Sequence, residues 1–362
     1  MITTRIYNFS SGPAVLPLPV LAEVQRDLLA LPGVGMSVLE ISHRSTAFEE
    51  MIQRAESDLR RLAGVPDTYA VLFLQGGASL QFSMVPMNLL TPGMTADYIV
   101  TGSWAEKAVT EARRVGTINI AATTKADGFS RIPRQDELTL TPGAAYVHIT
   151  SNNTIEGTQW KTLPDVDDVP LVSDASSDIF SRPIEIARHG LIYAGAQKNL
   201  GPAGATLVII RRDLLERSSA DLHTMLNYRV HAENGSLYNT PAVFAIYMTG
   251  LVVKWITAQG GLDAMARASE RKAAKLYAEI DRSGFYRGTA QPASRSLMNL
   301  TFRLQNEELD KRFVTESTKQ GMDGLRGHRS VGGMRASLYN AFPEAGVDAL
   351  IQFMREFERR NG

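Results

Sequence analysis

Cysteine is absent from the 362 residues, which removes disulfides, thiolate nucleophiles and Cys-ligated zinc from consideration and agrees with a reducing, cytoplasmic setting. Neither sign of charge prevails: Lys+Arg 38 stand against Asp+Glu 38. That balance gives no general electrostatic reason to expect nucleic acid or an anionic membrane as partner, so small molecules or a second copy of the chain are expected instead. Long apolar runs are also lacking, and the longest, "VFAIYMTGLVVKWI", is interrupted by Lys254 and too short to span a bilayer. The first twenty residues are broken by Gly12, Pro13, Pro17 and Pro19 and lack the apolar core of a signal peptide. The six histidines show no paired ligand spacing, so no metal is expected. Repeats and low-complexity segments are missing too.

What the chain has is alternation. Its length favours two domains that together bury roughly 75% of the unfolded surface. "STAFEEMIQRAESDLRRLAG" predicts a helix with Thr46 and Glu49 as a capping box, Phe48, Met51, Ile52, Ala55, Leu59 and Leu62 on one face, and Gly64 as its stop. Strand candidates follow as "YAVLFL", "DYIVTG", "AAYVHIT", "VPLVSDAS" and "GLIYAGA", separated by helical or loop segments. Strand then helix, repeated, predicts an α/β fold with a largely parallel, doubly wound sheet, to which "ATLVIIRR" adds an edge strand. A domain boundary is expected near Gly260, with a smaller α+β domain beyond it that the N-terminal dozen residues join.

In open α/β sheets ligands bind beyond the carboxyl ends of the strands. After "YAVLFL" comes "QGGASLQF", where two glycines lead into a helix near Ala78 and Ser79; free N–H groups and the helix dipole suit an anion there, although such a turn needs glycine for geometry just as often. After "DYIVTG" comes Trp104, a core aromatic or a stacking surface for a planar ring. After "AAYVHIT" comes a polar cluster with Thr154 and Glu156, a hydrated loop or part of a site. Asp174 ends an apolar strand, where it either caps or meets a cation. Twenty-four positions on, Lys198 stands in "LIYAGAQKNLGPAG", whose small residues would let the backbone pass close to a ligand. A phosphate cradle, a stacking ring, a buried carboxylate and a lysine together suit pyridoxal phosphate, with the lysine in Schiff-base linkage and the carboxylate at the ring nitrogen. An ion pair at about 4 Å is worth ~4 kcal/mol at an effective dielectric of ~20, or roughly three pK units before desolvation, enough to keep that nitrogen protonated.

Eight ordered stretches carry a fuller likeness: "NFSSGPAVLP", "ISHRS", "LQGGASLQF", "HITSNNTIEGTQW", "SDASSDIFSRP", "YAGAQKNLGPAG", "NYRVHAENGSLYNTP" and "GHRSVGGMRASLYNA". Through them the chain resembles, over nearly its whole length, the phosphoserine aminotransferase family of class-V, fold-type I pyridoxal phosphate enzymes. The resemblance implies a large domain, residues 15–260, with a mostly parallel seven-stranded sheet sandwiched by helices, and a small α+β domain formed by residues 1–14 and 261–362. It implies one pyridoxal 5'-phosphate per subunit on Lys198, with Asp174 at the pyridinium, Trp104 stacked on the ring and Thr154 near the ring hydroxyl. Ala78 and Ser79 would hold the phosphate with help from Gln197, and from Asn239 and Thr240 of the neighbouring subunit, which implies a homodimer with shared sites. His43, Arg44, His328, Arg329 and Arg335 would bind substrate, Arg335 taking the α-carboxylate; fixed arginines suit a dianionic phosphate and a carboxylate. The implied reaction moves an amino group from L-glutamate to 3-phosphohydroxypyruvate, with 4-phosphohydroxythreonine formation in pyridoxine synthesis as a second use. Another class-V transaminase, such as alanine:glyoxylate aminotransferase, is the rival reading. A cysteine desulfurase of similar fold is excluded by the missing cysteine.

Overall fold

The computed structural model describes residues 5–362; residues 1–4 of the expected N-terminal segment lie outside the described residues. Each strand candidate named above forms a strand. Tyr69–Leu74 (β1), Thr95–Val100 (β2), Thr117–Thr123 (β3), Val147–Thr150 (β4), Leu171–Asp174 (β5), Leu191–Gly195 (β6) and Thr206–Arg211 (β7) make one seven-stranded sheet in the order β1-β7-β6-β5-β4-β2-β3. β3, β2, β4, β5 and β6 are mutually parallel. This is the mostly parallel α/β sheet anticipated, with two differences.

β7 is no edge strand. It lies between β1 and β6 and runs antiparallel to both. Five of its six residues are buried, and a near-continuous apolar run of that kind belongs inside a sheet covered on both faces. The outer places fall to β1 and to β3; the residues of β3 are mostly half-exposed, and without a continuous apolar run it gave no strand signal.

The helices fill both faces. Thr46–Ala63 (α1) ends at Gly64, which adopts φ 63°, as expected, but its cap is Ser45, whose hydroxyl accepts the Phe48 N–H. Thr46 is therefore the first helical residue and not the cap. Gly77–Leu89 (α2) and Ser103–Ala112 (α3) follow β1 and β2 directly. Alternate residues of each strand face opposite layers: Val71, Phe73, Ile192 and Leu207 meet α1 and Val243–Ala258 (α4), while Leu72, Tyr98, Val172 and Val208 meet α2 and α3. Among the described residues no single helix is long and apolar enough to cross a membrane.

A third core lies beyond. Gly261–Asp281 (α5) contributes Leu262 and Met265 to the sheet core and Ala273, Leu276 and Ile280 to this one. The antiparallel strands Arg287–Gly288 (β8), Asn299–Arg303 (β9) and Met334–Ser337 (β10) and the helix Glu344–Asn361 (α6) complete it. Phe9 is buried in the same cluster, because Tyr7–Asn8 pairs in parallel with Met322–Asp323.

Candidate active site

The carboxyl ends of β1, β2, β4, β5 and β6 converge on one lysine. Lys198 lies on the connection from β6 to β7, half-buried, and its Nζ donates to Thr154 Oγ1 at 2.8 Å. The same Nζ stands 5.9 Å over the Trp104 ring. Burial pulls its pKa down to about 8, with the negative field of Asp174 working in the opposite direction. An amine so placed releases its proton far more readily than a solvated lysine.

Asp174 ends β5 and is 5% exposed. Its carboxylate accepts the Ser176 N–H at 3.0 Å. Burial, the largest influence, raises its pKa, while Lys198 and the contacts with Ser176 work against that rise. Trp104 is the second residue of α3, and its Nε1 has no hydrogen-bond partner among the described residues. Thr154 sits on the turn of a small hairpin, Asn152–Asn153 with Thr158–Gln159, and is 3% exposed. That cluster is a buried, cross-linked turn and not a hydrated loop.

Arg335, on β10, reaches the same place from the third core. Nη1 donates to the Thr154 carbonyl at 3.3 Å and Nη2 to Ser11 Oγ at 2.7 Å, and its Nε is buried without a partner among the described residues. Gln197 is half-buried beside Lys198, and its carbonyl accepts the Ala14 N–H at 2.9 Å. At the end of β1, Gly76 takes φ 87° and opens α2 with no side-chain cap. The backbone N–H groups around Ala78 and Ser79 are thus free to meet an anion at a positive helix end. The Gln75 side chain donates to the Thr240 carbonyl at 3.1 Å, which holds the Asn239–Thr240 loop beside that turn within the same chain.

The cationic residues are less gathered. His328 is half-buried, its Nδ1 paired with Ser330 Oγ at 2.7 Å; burial lowers its pKa, and the positive fields of Arg335, Arg329 and Lys107 add to that. Arg329 and Arg44 are exposed. His43 is half-buried on the turn before α1, its Nε2 unpaired among the described residues. Among the described residues no hydrogen bond or ion pair joins the His43–Arg44 pair to Lys198, Asp174 or Arg335.

Sequence reasoning did not assign Ser11 or Gly12. Gly12, at φ +144°, would put a Cβ 3.3 Å from Lys198 Cγ, and Ser11 accepts from both Arg335 and, through its carbonyl, Tyr339. The signal was the small-residue run in "NFSSGPAVLP". Of the glycines nearer Lys198 in sequence, Gly201 and Gly204 face Thr249 and Ala245 of α4; they serve helix packing rather than ligand approach.

The model of the family described as Aminotransferase class-V matches residues 6–350. The phosphoserine aminotransferase of Desulfosudis oleivorans is 55% identical with 100% of both chains covered. A solved phosphoserine aminotransferase from Bacillus circulans subsp. alkalophilus is 51% identical, with a TM-score of 0.98 over 99% of this chain and 100% of that one. Another, from Trichomonas vaginalis and described as PLP bound, is 40% identical with a TM-score of 0.93 over 97% of this chain and 100% of that one. The chain belongs to the class-V aminotransferases and, among them, to the phosphoserine aminotransferase family.

Proposed function

We propose that this chain is a pyridoxal phosphate enzyme that transfers the amino group of L-glutamate to 3-phosphohydroxypyruvate, giving O-phospho-L-serine and 2-oxoglutarate. The observation that carries the reading is the convergence on Lys198: an amine with its pKa near 8, bonded to Thr154, beneath Trp104 and in the field of Asp174.

The residues fit the cofactor. The uncapped head of α2 offers N–H groups to its phosphate, with Gln197, Ala78 and Ser79 around it; the Trp104 face suits a planar ring, and Asp174 suits a ring nitrogen. When bound, pyridoxal phosphate supplies an aldehyde for amines and a protonated ring that withdraws electrons from the substrate Cα. Asp174 would pair with the ring nitrogen and favour its protonated form. Lys198, with a pKa of about 8, would hold the proton removed from the substrate Cα and deliver it to the former aldehyde carbon of the cofactor. Arg335 holds the α-carboxylate through its fork of N–H groups, fixing which Cα bond faces the lysine. His43, Arg44, His328 and Arg329 bind the distal phosphate or the γ-carboxylate of glutamate.

Several finer points belong to this reading. The enzyme is a cytoplasmic homodimer in which Asn239 and Thr240 of one subunit complete the neighbour's phosphate site; this reading rests on the likeness of "NYRVHAENGSLYNTP" to the family, while within this chain Gln75 holds that loop beside its own α2 turn. Residues 15–260 are the large domain and residues 1–14 with 261–362 the small one, in line with the shared burial of Phe9 and the C-terminal core. The phosphorylated 3-hydroxy-2-oxobutanoate that leads to 4-phosphohydroxythreonine is a second acceptor, since the same anion sites fit it. A substrate panel with glutamate as donor tests all of this: phosphorylated hydroxypyruvate should turn over far faster than the unphosphorylated form. Equal turnover, or preference for glyoxylate with alanine, would mean an alanine:glyoxylate-type transaminase instead.

A further inference from the structure

Glu156 stands inside this framework with no part in the chemistry above. It follows Thr154 by two residues on the hairpin turn and is 6% exposed. Its Oε1 accepts the Ser103 N–H at 2.8 Å and the Ser103 hydroxyl at 2.6 Å. Ser103 is the first residue of α3, Trp104 is the second, and the residue before the helix provides no side-chain cap. The chain makes room for the carboxylate: a Cβ on Gly102 would stand 2.6 Å from Glu156 Oε2. Gly102 is extended, so space, and not backbone angle, requires glycine there.

The same turn is tied on its other sides. Arg335 donates to the Thr154 carbonyl at 3.3 Å, Thr301 Oγ1 to the Glu156 carbonyl at 3.1 Å, and Asn153 Nδ2 to Thr101 Oγ1 at 3.0 Å. A short rigid turn thus carries Thr154, the partner of Lys198, at one point and the anchor of the Trp104 helix at the next.

We propose that Glu156 is a positioning residue: by capping α3 through Ser103 it fixes the Trp104 ring relative to Lys198 and Thr154, and so fixes the tilt and retention of the ring stacked there. This rests on the reading of Trp104 as the stacking surface. The physical basis is that a carboxylate at a helix N-terminus is favoured by the helix dipole and makes charge-assisted bonds. Removing it takes the partner from both the N–H and the hydroxyl of half-buried Ser103 at once. Oε1 is committed to Ser103, while Oε2 lies against Gly102 without a hydrogen-bond partner among the described residues; it is the anchored oxygen that acts through Trp104.

The test uses the holoenzyme and four variants, Glu156→Ala, Glu156→Gln, Ser103→Ala and Trp104→Ala. The measurements are circular dichroism of the cofactor band, the rate of cofactor release, kcat and the KM for glutamate. In E156A the dichroic band should weaken and cofactor release should quicken by about tenfold or more, with kcat falling and KM nearly constant. E156Q, which keeps an acceptor for both Ser103 donors, should recover to within about threefold of the parent, and S103A, which keeps only the backbone bond, should fall between. Unchanged dichroism and retention in E156A overturn the proposal, as does an E156Q enzyme with an intact cofactor band but activity as poor as E156A, which would place the charge on substrate. Where E156A does not fold, S103A decides: an unaltered band and release rate in S103A overturn the proposal. Trp104→Ala separates the two readings. If it leaves band and retention untouched, the stacking role of Trp104 is wrong; if it disturbs them while E156A does not, only the role of Glu156 is wrong.

Discussion

The floor and the rim of the site are built differently. Lys198, Asp174, Thr154 and Trp104 stand at strand ends or one residue into a helix, buried or half-buried and linked by named contacts within one chain. Arg44 and Arg329 stand exposed on loops, and the His43–Arg44 turn makes no direct link to the floor among the described residues. A sheet places side chains with little freedom, and a loop does not. On the proposed reading, the part of the site that would hold the cofactor is preorganised, and the part that would grip two substrates of different length keeps its freedom. Arg335 is the exception: it belongs to the third core, yet each Nη gives one of its two N–H groups to the floor, to Thr154 and to Ser11, and keeps the other.

That division orders the expected losses. The largest should follow Lys198→Ala, which removes the proton-moving amine: kcat should fall by at least about 10⁴-fold, with the reducible link to cofactor gone from the borohydride-treated protein. Trapping of cofactor at another single lysine would break the floor as drawn. Asp174→Asn should cost about 10²–10⁴-fold in kcat with little change in fold, measured by single-turnover absorbance and thermal unfolding. Arg335→Lys keeps the charge and loses the planar fork, so the KM for glutamate should rise about tenfold or more while the cofactor spectrum stays. Arg329→Ala, on the rim, should narrow the preference for phosphorylated over unphosphorylated hydroxypyruvate by about tenfold without disturbing cofactor retention. A lost cofactor in that variant would erase the distinction between floor and rim.

The smallest effect is a shift on the pH axis. Lys198 is charged below about 8 and free above it, so borohydride trapping of pyridoxal by the cofactor-free protein should rise through that pH. The charge on Asp174 raises the lysine's pKa, so Asp174→Asn should move the profile to lower pH. A profile that stays put would separate the two residues.

Much of the floor was legible because its signals are local. An apolar run ending in Asp174, or a lysine after "GLIYAGAQ", announces a strand end wherever the strand goes. Strand order is not local, and β7 was placed at the edge because nothing in "ATLVIIRR" says that Leu74 is the residue opposite Thr206. The small residues near Lys198 were read as ligand clearance; Gly201 and Gly204 lie against α4, Gly195 leaves room for the Gln197 side chain, and a close contact with Lys198 also comes from Gly12, far away in the chain. The cap of α1 slipped by one residue, from Thr46 to Ser45, since either hydroxyl suits a cap and only backbone geometry chooses.

The pairing of Tyr7–Asn8 with Met322–Asp323 has a consequence for how the chain is made. Ser11 meets Arg335 only after 324 further residues have followed it, and at about 5–20 residues per second a ribosome needs tens of seconds to supply them. In the later part of that interval, once Arg211 has left the ribosome, β1 to β7 are able to assemble while Tyr7–Asn8 still has nothing to pair with. A segment made before the whole of the sheet thus finds its place only after Met322–Asp323 and Arg335 have been made, and Lys198 gains the contact of Gly12 only then.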